Sequence, residues 1–447
     1  MANPVCFTSP PPGITCPTNP APLYPANPAP AYNYYSSGNL FSPAFQYSPT
    51  NNVTPSNPLS AMQSAPTPLQ GEFLSNCPFI AALQSIAWVN RRFIISNISG
   101  PNSGPGIYSV TFWNYQNTSY SNFLSQQVSL SQNGGGSQLN SGWGNAVPVT
   151  VVVNGTIALN GTNKMVDPNT NMSYGAGSSN SNEIWPALYE KAYAKFILYQ
   201  YGLISASQLQ STSADPTFCQ VCGLTSVQWG GNAGIALAYL TGLPCYSYST
   251  ASSSFSPMGN LTCSAQGNIF SYIKTGFCGQ TAPVYGVRKT MYPLVAWTYP
   301  SESASPAGLY NATSNPSGIQ YSSSSILPNH CYPILGIFEP TISGSTAHYI
   351  VLGTTFGGPN PNPNVPVNNF INIVQNANSQ NGNNISSSTC YDALFQLGTA
   401  PSNGFYPYTA SQKPRNINIP LSNGMFGLEG MTTFQKYFQA IAWAQGF

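Results

Sequence analysis

The sequence predicts an α+β fold in which helices dominate the earlier part of the folded region and strands the later part. Three observations carry this. Apolar residues recur at helical spacing after Cys77 and again after Trp185. Short aromatic and β-branched runs, MYPLVAWTY, CYPILGIF and HYIVLGTTF, gather beyond residue 290. Residues 1–69, ahead of both, are rich in proline and carry no helical periodicity.

Composition sets the outer bounds. A chain of 447 residues can bury a large core. Charged residues make up only 4% of it, against roughly 25% in ordinary soluble proteins. Its 42% hydrophobic and 13% aromatic content is nonetheless enough to fold, so the expectation is a packed protein with an uncharged polar surface. A net charge of +2, with Arg91-Arg92 and Arg288-Lys289 as pairs rather than patches, offers no footprint for nucleic acid. No apolar run reaches the roughly 18 residues of a spanning helix, so no membrane span is expected. The opening MANPVCFTSPPPGITCP lacks the basic region and apolar core of a secretory signal.

Taken in order, residues 1–69 read as an extended arm, with SPPPG, PAPLYPANPAPAYNYY and SNPLS, and its Tyr and Phe suit a partner's surface. Residues 70–242 form a helical lobe with inserted β-rich loops. It opens with QGEFLSNCPFIAALQSIAW, in which Pro78 suits a first helical turn and Phe79, Ile80, Leu83, Ile86 and Ala87 share a face. Cys77 therefore sits at a helix N-terminus, where unpaired N–H groups favour a thiolate, the nucleophilic form. The run FIISNI is expected as a strand, and VNGT inside VPVTVVVNGTIAL as a hairpin turn. Trp185, Leu188, Tyr189, Ala192 and Phe196 then face a core from a second helix. Residues 243–447 form a β-rich lobe: His330 opens the strand CYPILGIF, HYIVLGTTF follows, and an amphipathic helix over Thr432–Trp443 closes the chain.

Ten cysteines are present, and with Cys77 set aside an odd number remains. Cys219-Gln-Val-Cys222 has no second half to complete a zinc site, so neither metal nor cofactor is expected. Cys6 with Cys16 and Cys245 with Cys263 are local disulfide candidates, the connectivity staying open.

The segment around Cys77 resembles the nucleophile segment of calpain-type cysteine proteases. NEIWPALYEKAYAKF (Asn182–Phe196) is similar to that family's Trp-x-x-Leu-x-Glu-Lys-Ala-Tyr-Ala-Lys helix, and WGGNAGIALAYLTG (Trp229–Gly242) to the stretch after it. His330 falls at the family's catalytic histidine, AHYIVLGTTFGG resembles the strand bearing its Asn-Pro-Trp-Gly, and MTTFQKYF resembles the helix closing the protease core. The resemblance implies a papain-like, two-lobed core behind the proline-rich arm. It implies Cys77 as nucleophile, His330 as its base, Gln70 as an oxyanion donor, and Thr354, at the family's Asn position, as the group orienting the imidazole. Gln70 stands one position further from Cys77 than the family's Gln, so that role requires a bulge. The family's calcium is not expected, because nine acidic residues spread along the chain form no cluster.

Scarce carboxylates also predict a stability that changes little between neutral pH and about pH 3, since few groups can differ in pKa between native and unfolded states. Nine Asn-x-Ser/Thr sequons, at Asn52, Asn97, Asn117, Asn154, Asn160, Asn171, Asn260, Asn311 and Asn384, offer a glycan coat in place of charge. The whole composition resembles that of virion and surface proteins of acidophilic archaea and their viruses. Two functions follow as expectations. The favoured one is a structural virion or cell-surface protein on a calpain-like scaffold, meeting other structural proteins through its arm, assembled in the cytoplasm and then exterior. The alternative is an active endopeptidase whose partner is a peptide substrate.

Overall fold

Helix α1 (Cys77–Val89) is buried on every side in the computed structural model, with Phe79 through Trp88 all withdrawn from solvent, Gln84 and Ser85 included. A helix that is apolar all round must be enclosed by partners. The structure describes residues 32–34, 40, 68–69, 76–102, 106–116, 136–160, 163–164, 176–178, 184–215, 233–279, 287–308, 313–315, 319, 321, 326–339, 341–342, 345–346, 348–353, 355, 395–396 and 425–447. Within them the fold is α+β.

After α1, Asn90 caps helix α2 (Arg91–Ser96) by accepting from the Phe93 N–H at 3.2 Å. The strand expected at FIISNI is therefore mostly helix, and only β1 (Ile98–Ser99) pairs, with β2 (Ile107–Tyr115). The cap decides it, because an Asn side chain that satisfies a first-turn N–H commits the following residues to a helix. Strand β3 (Gly136–Gln138) belongs to a larger sheet, whereas β4 (Ala146–Asn154) pairs with β2 along its full length. The expected hairpin at VNGT does not form. The Gly155 N–H donates to Gly106 O at 2.8 Å, and Thr156–Asn160 then pairs with Tyr32–Tyr34 and Asn163–Lys164 instead of β4.

Helix α3 (Trp185–Gln200) buries Trp185 through Leu198, its charged residues included. Helix α4 (Ala233–Thr241) ends at Gly242, which has φ +70° and the ring of Trp113 against its α-carbon, so that a side chain there would be both strained and blocked. Strand β5 (Cys245–Ser249), helix α5 (Ile269–Gly276), and strands β6 (Val287–Lys289), β7 (Leu294–Thr298), β8 (Cys331–Phe338), β9 (Tyr349–Gly353), β10 (Phe395–Gln396) and β11 (Met425–Glu429) follow. One helical turn, α6 (Phe434–Tyr437), leads into β12 (Phe438–Ala444).

Nine of these strands form one antiparallel sheet in the order β10-β11-β9-β8-β7-β12-β5-β3, with β6 also on β8. Its central strands are buried on both faces with period two. Val295, Cys331, Ala442 and Ala444 join the core containing α1, α3 and α4. Leu294, Ala296, Tyr332, Ile334, Ile441 and Trp443 join a second core with α5. The first core thus unites residues from both sides of position 242.

This two-sided burial corrects the C-terminal expectation. Phe438–Ala444 is a strand between β7 and β5, not part of an amphipathic helix over Thr432–Trp443. A short run that is apolar at nearly every position carries no periodicity able to separate helix from strand. Among the described residues no helix is long and apolar enough to cross a membrane.

Candidate active site

His330 is positioned by a turn. Asn329 has φ +49°, the one positive φ at a non-glycine among the described residues, a conformation that Asn tolerates better than most. Its N–H donates to Tyr299 O at 2.9 Å. Thr298, at the end of β7, holds the next residue from both sides. Its N–H donates to His330 O and its hydroxyl accepts from the His330 N–H, each at 2.9 Å, while that hydroxyl donates to Leu327 O at 2.7 Å. The backbone of His330 is thereby fixed at the mouth of β8. Its ring stands edge-on to Tyr332, with centroids 5.1 Å apart, and its Nε2 lies 2.8 Å from Thr355 Oγ1. Both partners are withdrawn from solvent, His330 at 6% exposure and Thr355 at 0%.

Cys77 begins α1, and the helix meets β8 at both ends. Trp88 Nε1 donates to Leu335 O at 2.7 Å near its C-terminus. At its N-terminus Cys77 lies in the first core with Cys331, and Cys331 and His330 are the side chains that act on its thiol. The Cys331 hydrogen bond does most to hold the Cys77 thiol well below its ordinary value. Burial opposes it, and the charge and hydrogen bond of His330 reinforce it. The same contact pushes Cys331 well above the thiol range, with burial adding to the rise. Together these influences favour the thiolate form of Cys77. Elsewhere burial pushes thiols up, Cys278 to about 12 and Cys263 and Cys245 also above normal.

No family model matches this chain, and no curated protein matches it.

A buried carboxylate stands behind Cys77. Asn76, immediately before Cys77, donates through Nδ2 to Glu190 Oε1 on α3, and Glu190 Oε2 accepts from the Ala176 N–H at 2.7 Å. Burial pushes the Glu190 carboxyl up to about 7, against the pull of these two donors. The next residue, Lys191, and Lys195 about one turn beyond it reach Asp215 at 3.4 Å and 2.9 Å. Lys195 also donates to Val152 O at 2.7 Å and to Ser211 O, tying α3 to β4 and to the chain after α3.

Of the residues the sequence singles out, Cys77 and His330 are brought together. Gln70 and Thr354 lie outside the described residues, and the hydroxyl on His330 Nε2 belongs to Thr355. The part played by Cys331 has no signature in spacing; its only sequence trace is its place directly after a histidine that opens a strand. Cys245 and Cys263, a candidate pair, are free thiols in different cores. Among the sequons, Asn260 is exposed, Asn97 donates to Phe93 O at 2.8 Å, and Asn154 is half-buried with Oδ1 accepting from Lys191. Asn160 lies in a strand, and Asn52, Asn117, Asn171, Asn311 and Asn384 lie outside the described residues. No group of three or more His, Cys, Asp and Glu side chains able to hold a metal converges among the described residues.

Proposed function

We propose that the protein is a cysteine peptidase with a papain-like core, in which Cys77 is the nucleophile and His330 the acid and base. The single observation carrying this is the placement of Cys77 at the start of α1 with His330 acting on its thiol, by charge and hydrogen bond, to lower it. The Cys77 thiolate attacks the carbonyl carbon of a peptide bond. The first-turn N–H of Cys77 faces the developing oxyanion, a position where helix geometry leaves donors without intrahelical partners. His330 gives its proton to the leaving amine, forming a thioester on Cys77. It then takes a proton from water as the water attacks the thioester, and the acid product leaves with Cys77 restored. Thr355, its hydroxyl 2.8 Å from Nε2, restrains the ring throughout.

The test is hydrolysis of a quenched-fluorescent peptide library at neutral pH. Cleavage should be lost in Cys77→Ala and in His330→Ala, with far-UV dichroism unchanged. Cleavage that survives Cys77→Ala would end this reading.

Charge depletion to 4%, nine sequons and the arm of residues 1–69 favour a second reading, a structural component of a virion or cell surface. On that reading, deleting residues 1–69 disrupts assembly with partner proteins, and it also removes Leu40 from the first core and the strand pairing of Tyr32–Tyr34 with Thr156–Asn160.

A further inference from the structure

The mechanism leaves unused a buried cluster of amine, carboxamide and carboxylate. The side chains of Lys191 on α3 and of Asp215 are 6% and 7% exposed. Lys191 Nζ donates to Asn154 Oδ1 at 2.6 Å and to Asn154 O at 3.1 Å, at the last residue of β4. Asp215 lies beside both. Its Oδ2 is 3.4 Å from Lys191 Nζ and accepts from the Asn154 N–H at 2.7 Å.

These are the groups that amide exchange requires: a nucleophilic nitrogen, an acyl carbon and a proton carrier. A carbonyl bond of about 1.23 Å joins Oδ1 to Cγ, so an amine 2.6 Å from Oδ1 stands within about 3.8 Å of Cγ. Near-attack separations are about 3–3.5 Å, so a small side-chain rotation brings Nζ onto the carbonyl carbon.

We propose that Lys191 and Asn154 join in an intramolecular isopeptide bond, formed by the folded chain itself with release of ammonia and with Asp215 carrying the proton. The inference is independent of the peptidase reading and uses none of its residues.

The step balances without an oxidant or reductant. Lys191 Nζ, as the neutral amine, attacks Asn154 Cγ; the C–N bond forms and the carbonyl electron pair moves onto Oδ1. The Asp215 carboxylate takes the proton that Nζ loses and gives it to Nδ2. The electron pair returns from Oδ1, the Cγ–Nδ2 bond breaks, and ammonia leaves. The product ties α3 to β4 by an amide, and it removes a buried ammonium whose desolvation is unfavourable. A cross-linked Asn154 has no amide nitrogen left to carry a glycan.

Lys191 suits this role better than its neighbour. Lys195 meets Asp215 Oδ1 at 2.9 Å and donates to Val152 O and Ser211 O. A carboxylate resists nucleophiles, and exchange at a backbone carbonyl would cut the chain. Burial pulls the Lys191 amine down to about 8 against the charge and hydrogen bond of Asp215, with Lys195 adding to the fall. The nucleophilic form is therefore within reach near neutral pH. The backbone also restrains a competing reaction. The Gly155 N–H donates to Gly106 O at 2.8 Å, which holds that nitrogen back from closing a succinimide on the Asn154 side chain.

The test is intact mass and chymotryptic peptide mapping of the full chain after incubation at pH 8. The expected protein is lighter than its sequence mass by one ammonia, with a branched peptide joining Asn154 to Lys191. Lys191→Met and Asn154→Ser should each show the full sequence mass, and Asp215→Asn should slow or abolish the loss. Cys77→Ala should cross-link as wild type does, which separates failure of this proposal from failure of the peptidase reading. Folded wild-type protein that keeps its full sequence mass would overturn the proposal. So would an ammonia loss that persists in Lys191→Met, since that marks a succinimide, or a loss of water mapped to Lys195 and Asp215.

Discussion

Glu190 and Asn76 are joined by a buried side-chain hydrogen bond that ties the middle of α3 to the residue before Cys77. The Asn76 carbonyl oxygen in turn accepts from the Phe79 and Ile80 N–H groups at 2.9 Å and 3.1 Å, starting α1. The carboxyl thus sets where the helix that carries Cys77 begins.

This bond gives stability a pH dependence beyond the flat profile that scarce carboxylates imply. Glu190 is pushed from the ordinary 4.5 up to about 7 by burial. Between those values the native state holds a proton that the unfolded state has released, so stability rises as pH falls through the window and is lowest above it. The full gain is roughly 3 kcal/mol. Thermal unfolding is expected at a higher temperature at pH 5 than at pH 8, and Glu190→Gln should shrink that difference. Glu190→Leu, which leaves the Asn76 amide and the Ala176 N–H without their acceptor, should cost about 1–3 kcal/mol for each in urea titration.

Alkylation reports the Cys77–Cys331 contact directly. Iodoacetamide at pH 7 should modify Cys77 well ahead of Cys245 and Cys278, whose thiols burial keeps protonated. In Cys331→Ala the pH profile for Cys77 should move toward alkaline values, because the largest stabiliser of its thiolate is gone. An unmoved profile would show that His330 alone sets the charge.

The two adjacent threonines after β9 separate the resemblance from the geometry. Thr355→Val removes the hydroxyl 2.8 Å from His330 Nε2 and should lower kcat/KM about tenfold or more, equivalent to ~1.4 kcal/mol, with little change in unfolding temperature. Thr354→Val is the comparison. Equal losses in the two variants would mean that neither hydroxyl orients the ring.

Asn329 tests the turn that delivers His330. With φ at +49°, Asn329→Gly should be close to neutral, whereas Asn329→Val should destabilise by about 1–2 kcal/mol. Activity should fall by more than stability accounts for, since the ring would lose its register with Cys77. The comparison is kcat/KM against the urea midpoint.

Local pattern alone decided several things about this chain. The spacing of Phe79, Ile80, Leu83 and Ile86 behind Pro78 dictates a buried helix with Cys77 at its start, and the runs around Val295, Ile334 and Val351 dictate strands. His330 before β8 was legible for the same reason. What the sequence could not decide depends on which segments meet. FIISNI became helix because Asn90 caps it, and Phe438–Ala444 became a strand because β5 and β7 pair with its two edges. The hydroxyl of Thr355, the carboxyl of Glu190 behind Asn76, and the thiol of Cys331 on Cys77 are contacts between distant segments. No periodicity encodes such contacts, since a hydrogen bond depends on the separation of atoms in space, and only the packing of α1 against α3 and the sheet fixes that separation.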